Sequence, residues 1–111
     1  MAIYSNLFID QGTDFSADID VTDEQDNALD LTGYTAAGQI RRSYTSKTAV
    51  DFTTTIKNET EGKLKIDLSS IQTESFQAGR YVYDVEITSS GGIKTRVLEG
   101  QITITPGVTK I

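Results

Sequence analysis

The chain has 111 residues, 37% of them hydrophobic and 23% charged, which is one domain's worth of sequence with a core of modest size. Ten Lys and Arg against 16 Asp and Glu give a net charge of −6, so the clustered basic charge that nucleic acid or an anionic membrane demands is missing. With no Cys and no His, the sequence excludes disulfides, thiolate chemistry, Ser-His and Cys-His nucleophile pairs, and zinc sites built on those ligands.

The governing period is two, the signature of half-buried strands, and it predicts seven of them. Ile3–Ile9 is the first. It is preceded by no basic region and apolar run of the kind a signal peptide needs, and no stretch of the chain approaches the ~20 apolar residues of a membrane span. Ile3 and Leu7 in this strand are expected to dock on partners. Asp10-Gln11-Gly12 reverses the chain into Thr13–Val21, where Phe15, Ala17, Ile19 and Val21 alternate with Ser16, Asp18 and Asp20. The polar turn Asp23–Asn27 follows, then Tyr34–Arg42, ending in a basic pair read as a solvated strand end.

Ser43–Lys47 reads as an exposed loop, and Tyr44 at its tip is a candidate interface anchor. Val50–Ile56 and Lys63–Leu68 are the fourth and fifth strands, separated by a turn from Asn58 to Gly62. Next comes the one break in the rhythm. Ser69 followed by Gln72 fits a capping box, which predicts a turn or two of helix closed by Gly79, with Ile71 and Phe76 pinning it over the core. Arg80–Thr88 and Ile93–Thr105 complete the set, joined across Ser89-Ser90-Gly91-Gly92, a strong hairpin signal. The last strand changes parity between Val97 and Ile102, which calls for a one-residue β-bulge near Leu98–Gly100. Pro106 ends the ladder, and the apolar-basic tail Val108 to Ile111 is a second candidate docking segment, with Val108 and Ile111 as its apolar residues. Short strands at this spacing predict an all-β, antiparallel sandwich of about seven strands, formed by residues 1–111 as one domain.

Gln77-Ala78-Gly79-Arg80-Tyr81-Val82-Tyr83 resembles the corner that precedes the sixth strand of immunoglobulin domains, with Tyr81 as the corner tyrosine and Tyr83 where those domains carry a Cys. Asp30-Leu31-Thr32-Gly33-Tyr34-Thr35 is similar to a phrase that recurs in small β-sandwich proteins of tailed bacteriophages, such as the N-terminal domain of baseplate upper proteins. The opening Gln11-Gly12-Thr13-Asp14-Phe15, the corner, the hairpin and the long final strand follow in the same order. The resemblance runs from Gln11 to Pro106. It implies an immunoglobulin-like virion structural protein of the tail, the baseplate or the capsid surface, made in the host cytoplasm. Its partners would be other virion proteins, with further copies of the chain also admitted, and neither a cofactor nor a small-molecule substrate is expected.

The densest acidic segment, Asp18 to Asp30, does not have calcium-loop spacing and reads as a solvated strand face plus a turn. Asp84 and Glu86 lie on an outward strand face rather than across a cleft, so no glycosidase pair is expected and no catalytic residue is assigned. An adhesin or carbohydrate-binding module is the alternative, and it would need exposed aromatics, Tyr44 first, on a concave sheet face.

Overall fold

Residues 3–108 are described by a computed structural model, and within them the two-residue rhythm becomes nine strand segments and one helix. The strands are β1 (Ile3–Tyr4), β2 (Leu7–Asp10), β3 (Phe15–Asp20), β4 (Thr35–Arg41), β5 (Val50–Asp51), β6 (Thr53–Asn58) and β7 (Lys63–Leu68). After helix α1 (Ser70–Glu74) come β8 (Gly79–Thr88) and β9 (Lys94–Thr105). One sheet runs β9-β8-β4-β5, with β1 and β2 both along the outer side of β9; the other is β3-β7-β6. This is the strand arrangement of an immunoglobulin-like sandwich. The pairings are antiparallel except those of β1 and β2, which run parallel to β9.

Inward residues of both sheets meet in one core of Ile9, Ile19, Ile40, Leu64, Ile66, Val85, Ile87, Ile102 and Ile104 with their neighbours. Leu31 is fully buried in it, and the Tyr34 amide donates to the Leu31 carbonyl at 2.9 Å. Gly33, at φ +81°, occupies the left-handed position that this turn requires. Tyr81 acts as the corner tyrosine: its hydroxyl donates to the Gln77 carbonyl at 2.8 Å, and its ring lies edge-on to Phe76 at 5.0 Å. Tyr83 is buried, its ring edge-on to Phe52 at 6.1 Å.

Several expectations are corrected. The strand expected over Val50–Ile56 is two strands in different sheets. The Phe52 amide donates to the Gly38 carbonyl at 2.9 Å, its side chain turns into the core, and the chain crosses from β4's sheet to pair with β7. Ile3–Ile9 is interrupted at Ser5-Asn6. The β9 bulge sits just before the expected segment: Val85 faces Leu98 and Glu86 faces Arg96, so Val97 is the extra residue, and both Val97 and Leu98 are buried. The Ser69–Gln72 capping box is formed, but α1 ends at Glu74 with Ser75 as its cap in ordinary right-handed geometry. Gly79 instead begins β8. Phe76 is buried over the core, whereas Ile71 is 78% exposed. The residue that fixes α1 is Thr73, fully buried, whose hydroxyl donates to the Thr13 carbonyl at 2.7 Å. Arg41 and Arg42 are not a bare solvated end. Arg41 donates to the Ser46 carbonyl at 2.6 Å, and Arg42 lies over the Tyr81 ring at 4.8 Å.

Candidate interaction surfaces

The N-terminal edge is built by its inner side. Ile3 faces Leu98 and Leu7 faces Ile102, so β1 and β2 keep one register along β9 despite the break. At the break the chain comes so close to Gly100 that a Cβ there would collide with the Ser5 carbonyl. That carbonyl accepts the Tyr83 hydroxyl at 2.7 Å, the Ser5 amide donates to Glu99 at 2.8 Å, and the Asn6 side chain accepts the Gln101 amide at 3.1 Å. Further along, Thr105 donates to the Asp10 carboxylate at 2.7 Å, and Gln11 spans the Phe76 carbonyl at 2.7 Å and the Gly107 amide at 3.2 Å. Burial and loss of hydration push the Tyr83 phenol up to about 12.

The outer side of this edge is bare. In a parallel ladder the backbone groups of alternate residues point to opposite sides. Ser5 and Gln11 donate to β9, so the amides and carbonyls of Tyr4 and Phe8, their neighbours within β1 and β2, turn away from it. Among the described residues no strand pairs with that side. Tyr4 is 62% and Phe8 73% exposed, and Ile3 is also exposed. Of the residues expected here, Ile3 is at the surface and Leu7 is not: it is half-buried against the core. Phe8 and Tyr4 were missed, although the parity was legible, because an inward Ile9 puts Phe8 outward and leaves Leu7 inward. Val108 is 94% exposed beyond the end of β9, and Ile111 lies outside the described residues.

A second surface lies on the outer face of the same sheet. Gln39 and Arg41 of β4, Val82, Asp84 and Glu86 of β8, and Arg96 and Glu99 of β9 line a 360 Å³ cleft with Tyr44 at its edge. Arg96 bridges Asp84 at 3.2 Å and Glu99 at 3.6 Å, while Gln39 links Asp51 at 2.7 Å to Arg41 at 3.0 Å. Most of its charge is therefore already internally satisfied. Tyr44 is 80% exposed, as its polar loop suggested.

The acidic segment divides along its length. Asp18 and Asp20 stand on the outer face of β3 beside Lys57 at 3.6 Å and Lys63 at 3.2 Å. Asp23 accepts the amides of Gln25 and Asn27, closing the polar turn. Asp30 accepts the Thr32 hydroxyl at 2.6 Å and amide at 2.9 Å, and those two donors hold its carboxyl below the usual range. Among the described residues, no three Asp or Glu side chains gather as a metal ion requires, and no helix is long and apolar enough to cross a membrane.

No family model and no curated protein matches the chain. Solved structures do match. One is an internalin-like protein of Listeria monocytogenes, at TM-score 0.45 and 16% identity over 96% of this chain and 28% of that one. Another is a family 123 glycoside hydrolase from Clostridium perfringens, at TM-score 0.45 and 11% identity over 95% of this chain and 23% of that one. The chain thus spans about a quarter of each neighbour's length, and at this level of likeness neither residues nor activities transfer to it.

Proposed function

We propose that the chain is a non-enzymatic structural protein of a bacteriophage particle, in the tail, the baseplate or on the capsid surface, that works through contacts with other virion proteins. The observation that carries this reading is the N-terminal edge. Its inner side is fixed by hydrogen bonds to β9 and Tyr83, and its outer side offers unpaired backbone and two exposed aromatic rings. Sheet edges of soluble domains are usually blunted by Lys, Pro or a cover. This one has neither Lys nor Pro between Ile3 and Ile9, and among the described residues no strand pairs with its outer side. An edge held rigid before contact loses little conformational freedom on docking, which favours adhesion by shape.

The resemblance of the Asp30–Thr35 and Gln77–Tyr83 phrases to phage sandwich proteins is the second support; Leu31, Gly33 and Tyr81, which carry it, are residues of the fold rather than of a contact surface. The test is incorporation. Particles assembled with Phe8→Lys should carry less of the protein than wild type at equal expression, and so should particles assembled with Val108–Ile111 deleted. If purified particles contain no copy of the wild-type chain, the reading is wrong.

A carbohydrate-binding or adhesin module is the second reading, favoured by Tyr44 beside a cleft of carboxylates, amide and guanidinium groups. Such groups hydrogen-bond sugar hydroxyls while an aromatic face packs on the ring. Glycan binding by the wild-type chain that is lost in Tyr44→Ala would favour this reading over a subunit built only for assembly.

A further inference from the structure

We infer that a groove beside α1 holds an acidic peptide segment of a partner protein, with an apolar side chain in the groove and the neighbouring carboxylate on Arg42. The groove runs between residues 48–50 and the turn at residues 75–77 that follows α1, and its volume is 420 Å³. In the sheet, β8 and β9 separate β4 and β5 from the N-terminal edge, so this surface is distinct from that edge and does not depend on what the edge docks.

The groove has an apolar lining and one oriented charge. Phe76 and Tyr81, whose rings meet edge-on at 5.0 Å, line it together with Ile40 and the half-buried Val50. The Tyr81 hydroxyl is spent on the Gln77 carbonyl at 2.8 Å, so Tyr81 offers the groove its ring and no free donor. Arg42 lies over that ring at 4.8 Å, and a Cβ at Gly79 would come within 2.8 Å of its guanidinium. The bare backbone at Gly79 thus lets the side chain lie against β8. Stacking of this kind leaves the guanidinium N–H groups unspent and fixes their plane, the arrangement that receives a carboxylate through two parallel hydrogen bonds.

Charge selects the occupant. Among the described residues, Lys57, Lys63, Lys65 and Arg96 bridge carboxylates, while Arg41, Arg42, Lys47, Arg80 and Lys94 bridge none. All of the unbridged set except Lys94 belong to one end of the molecule. Arg41 and Arg42 close β4, Lys47 lies just before the groove, and Arg80 precedes Tyr81 in β8. Against them stand Glu74 at the end of α1 and Asp51 after Val50, and Asp51 already accepts the Gln39 amide at 2.7 Å. This end therefore attracts an anion, although the whole chain, at net −6, turns away long polyanions such as nucleic acid. The partner chemistry that satisfies both facts is a single carboxylate beside an apolar residue.

The test is titration of the isotopically labelled chain with synthetic peptides, read from amide chemical shifts. The probe is acetyl-Gly-Ser-Leu-Glu-Ser-Gly amide, and its controls carry Leu-Gln or Ser-Glu at the centre. The Leu-Glu peptide should shift the amides of Arg42, Val50 and Gln77, with weak binding of about millimolar strength. Each control peptide should bind about fivefold more weakly, as should Arg42→Gln with the Leu-Glu peptide. Lys94→Gln, at the other end of β8 and β9, should bind as wild type does, and circular dichroism would confirm that each variant is folded. Added salt should weaken the Leu-Glu peptide more than the Leu-Gln peptide. Absence of shifts around the groove overturns the inference, as does equal binding of Leu-Glu and Leu-Gln or indifference to Arg42→Gln. If only a chain lacking Val108–Ile111 binds the peptide, the groove belongs to the chain's own tail and the partner is overturned.

Discussion

Tyr83 and Gly100 together show how single residues set the N-terminal edge. Tyr83 buries its ring in the sandwich and spends its hydroxyl on the Ser5 carbonyl, 78 positions away in sequence. Tyr83→Phe should cost about 1 kcal/mol, the usual net worth of one hydrogen bond, read as a lower unfolding midpoint. Gly100→Ala should cost more, roughly 1–3 kcal/mol, because a methyl group there strikes backbone rather than a side chain that can move. It should also loosen Ile3–Asp10, so amide exchange in that segment should rise more than in β7. The phenol gives a pH signature. The folded chain holds the Tyr83 proton up to about 12, against 10.0 in the unfolded chain, so its share of stability is intact below pH 10 and fades between pH 10 and 12. An ultraviolet titration of the folded protein should show a late tyrosine ionisation near pH 12, and Tyr83→Phe should remove that late step.

At the scale of elements, α1 is short enough that its cap decides whether it exists. Ser69 accepts the Gln72 amide at 3.2 Å and its own amide donates to the Gln72 side chain at 2.9 Å, while the Asp14 carboxylate accepts the Ser70 amide at 2.8 Å. Ser69→Ala should destabilise the domain by about 1 kcal/mol in chemical denaturation. This element was legible because its signal is local: two polar residues three apart in a chain otherwise ruled by alternation. The corner at Tyr81 and the turn at Gly33 were legible for the same reason. The change of sheet at Phe52 was not. Both halves of Val50–Ile56 keep a period of two, and what divides them is which strand each half meets, β4 or β7, a long-range fact. Ile71 misled for the opposite reason, since its apolar side chain pointed to the core while the geometry of a five-residue helix turned it outward. At the edge strand, composition again competed with parity. Phe8 and Leu7 are equally apolar, and only the burial of Ile9 sorts them.

For the whole molecule, the two outer faces are chemically unequal. The three-stranded sheet turns outward a balanced set of Asp18, Asp20 and Asp67 paired with Lys57, Lys63 and Lys65, with the Lys65–Asp67 pair half-buried and the other two exposed to water. Exposed pairs of this kind contribute about 0.2–1 kcal/mol each and are screened by salt. The six-stranded sheet carries the aromatic edge, the cleft and the end of β9. A variant with Lys57, Lys63 and Lys65 all changed to Gln should therefore lose little stability and enter particles as wild type does. The single change Phe8→Lys, which replaces an exposed aromatic ring by a charged side chain and leaves the molecule clearly net negative, should reduce entry at equal expression. Quantifying the protein in purified particles separates these cases. If the triple Gln variant were the one excluded, docking would have to be moved to the opposite sheet.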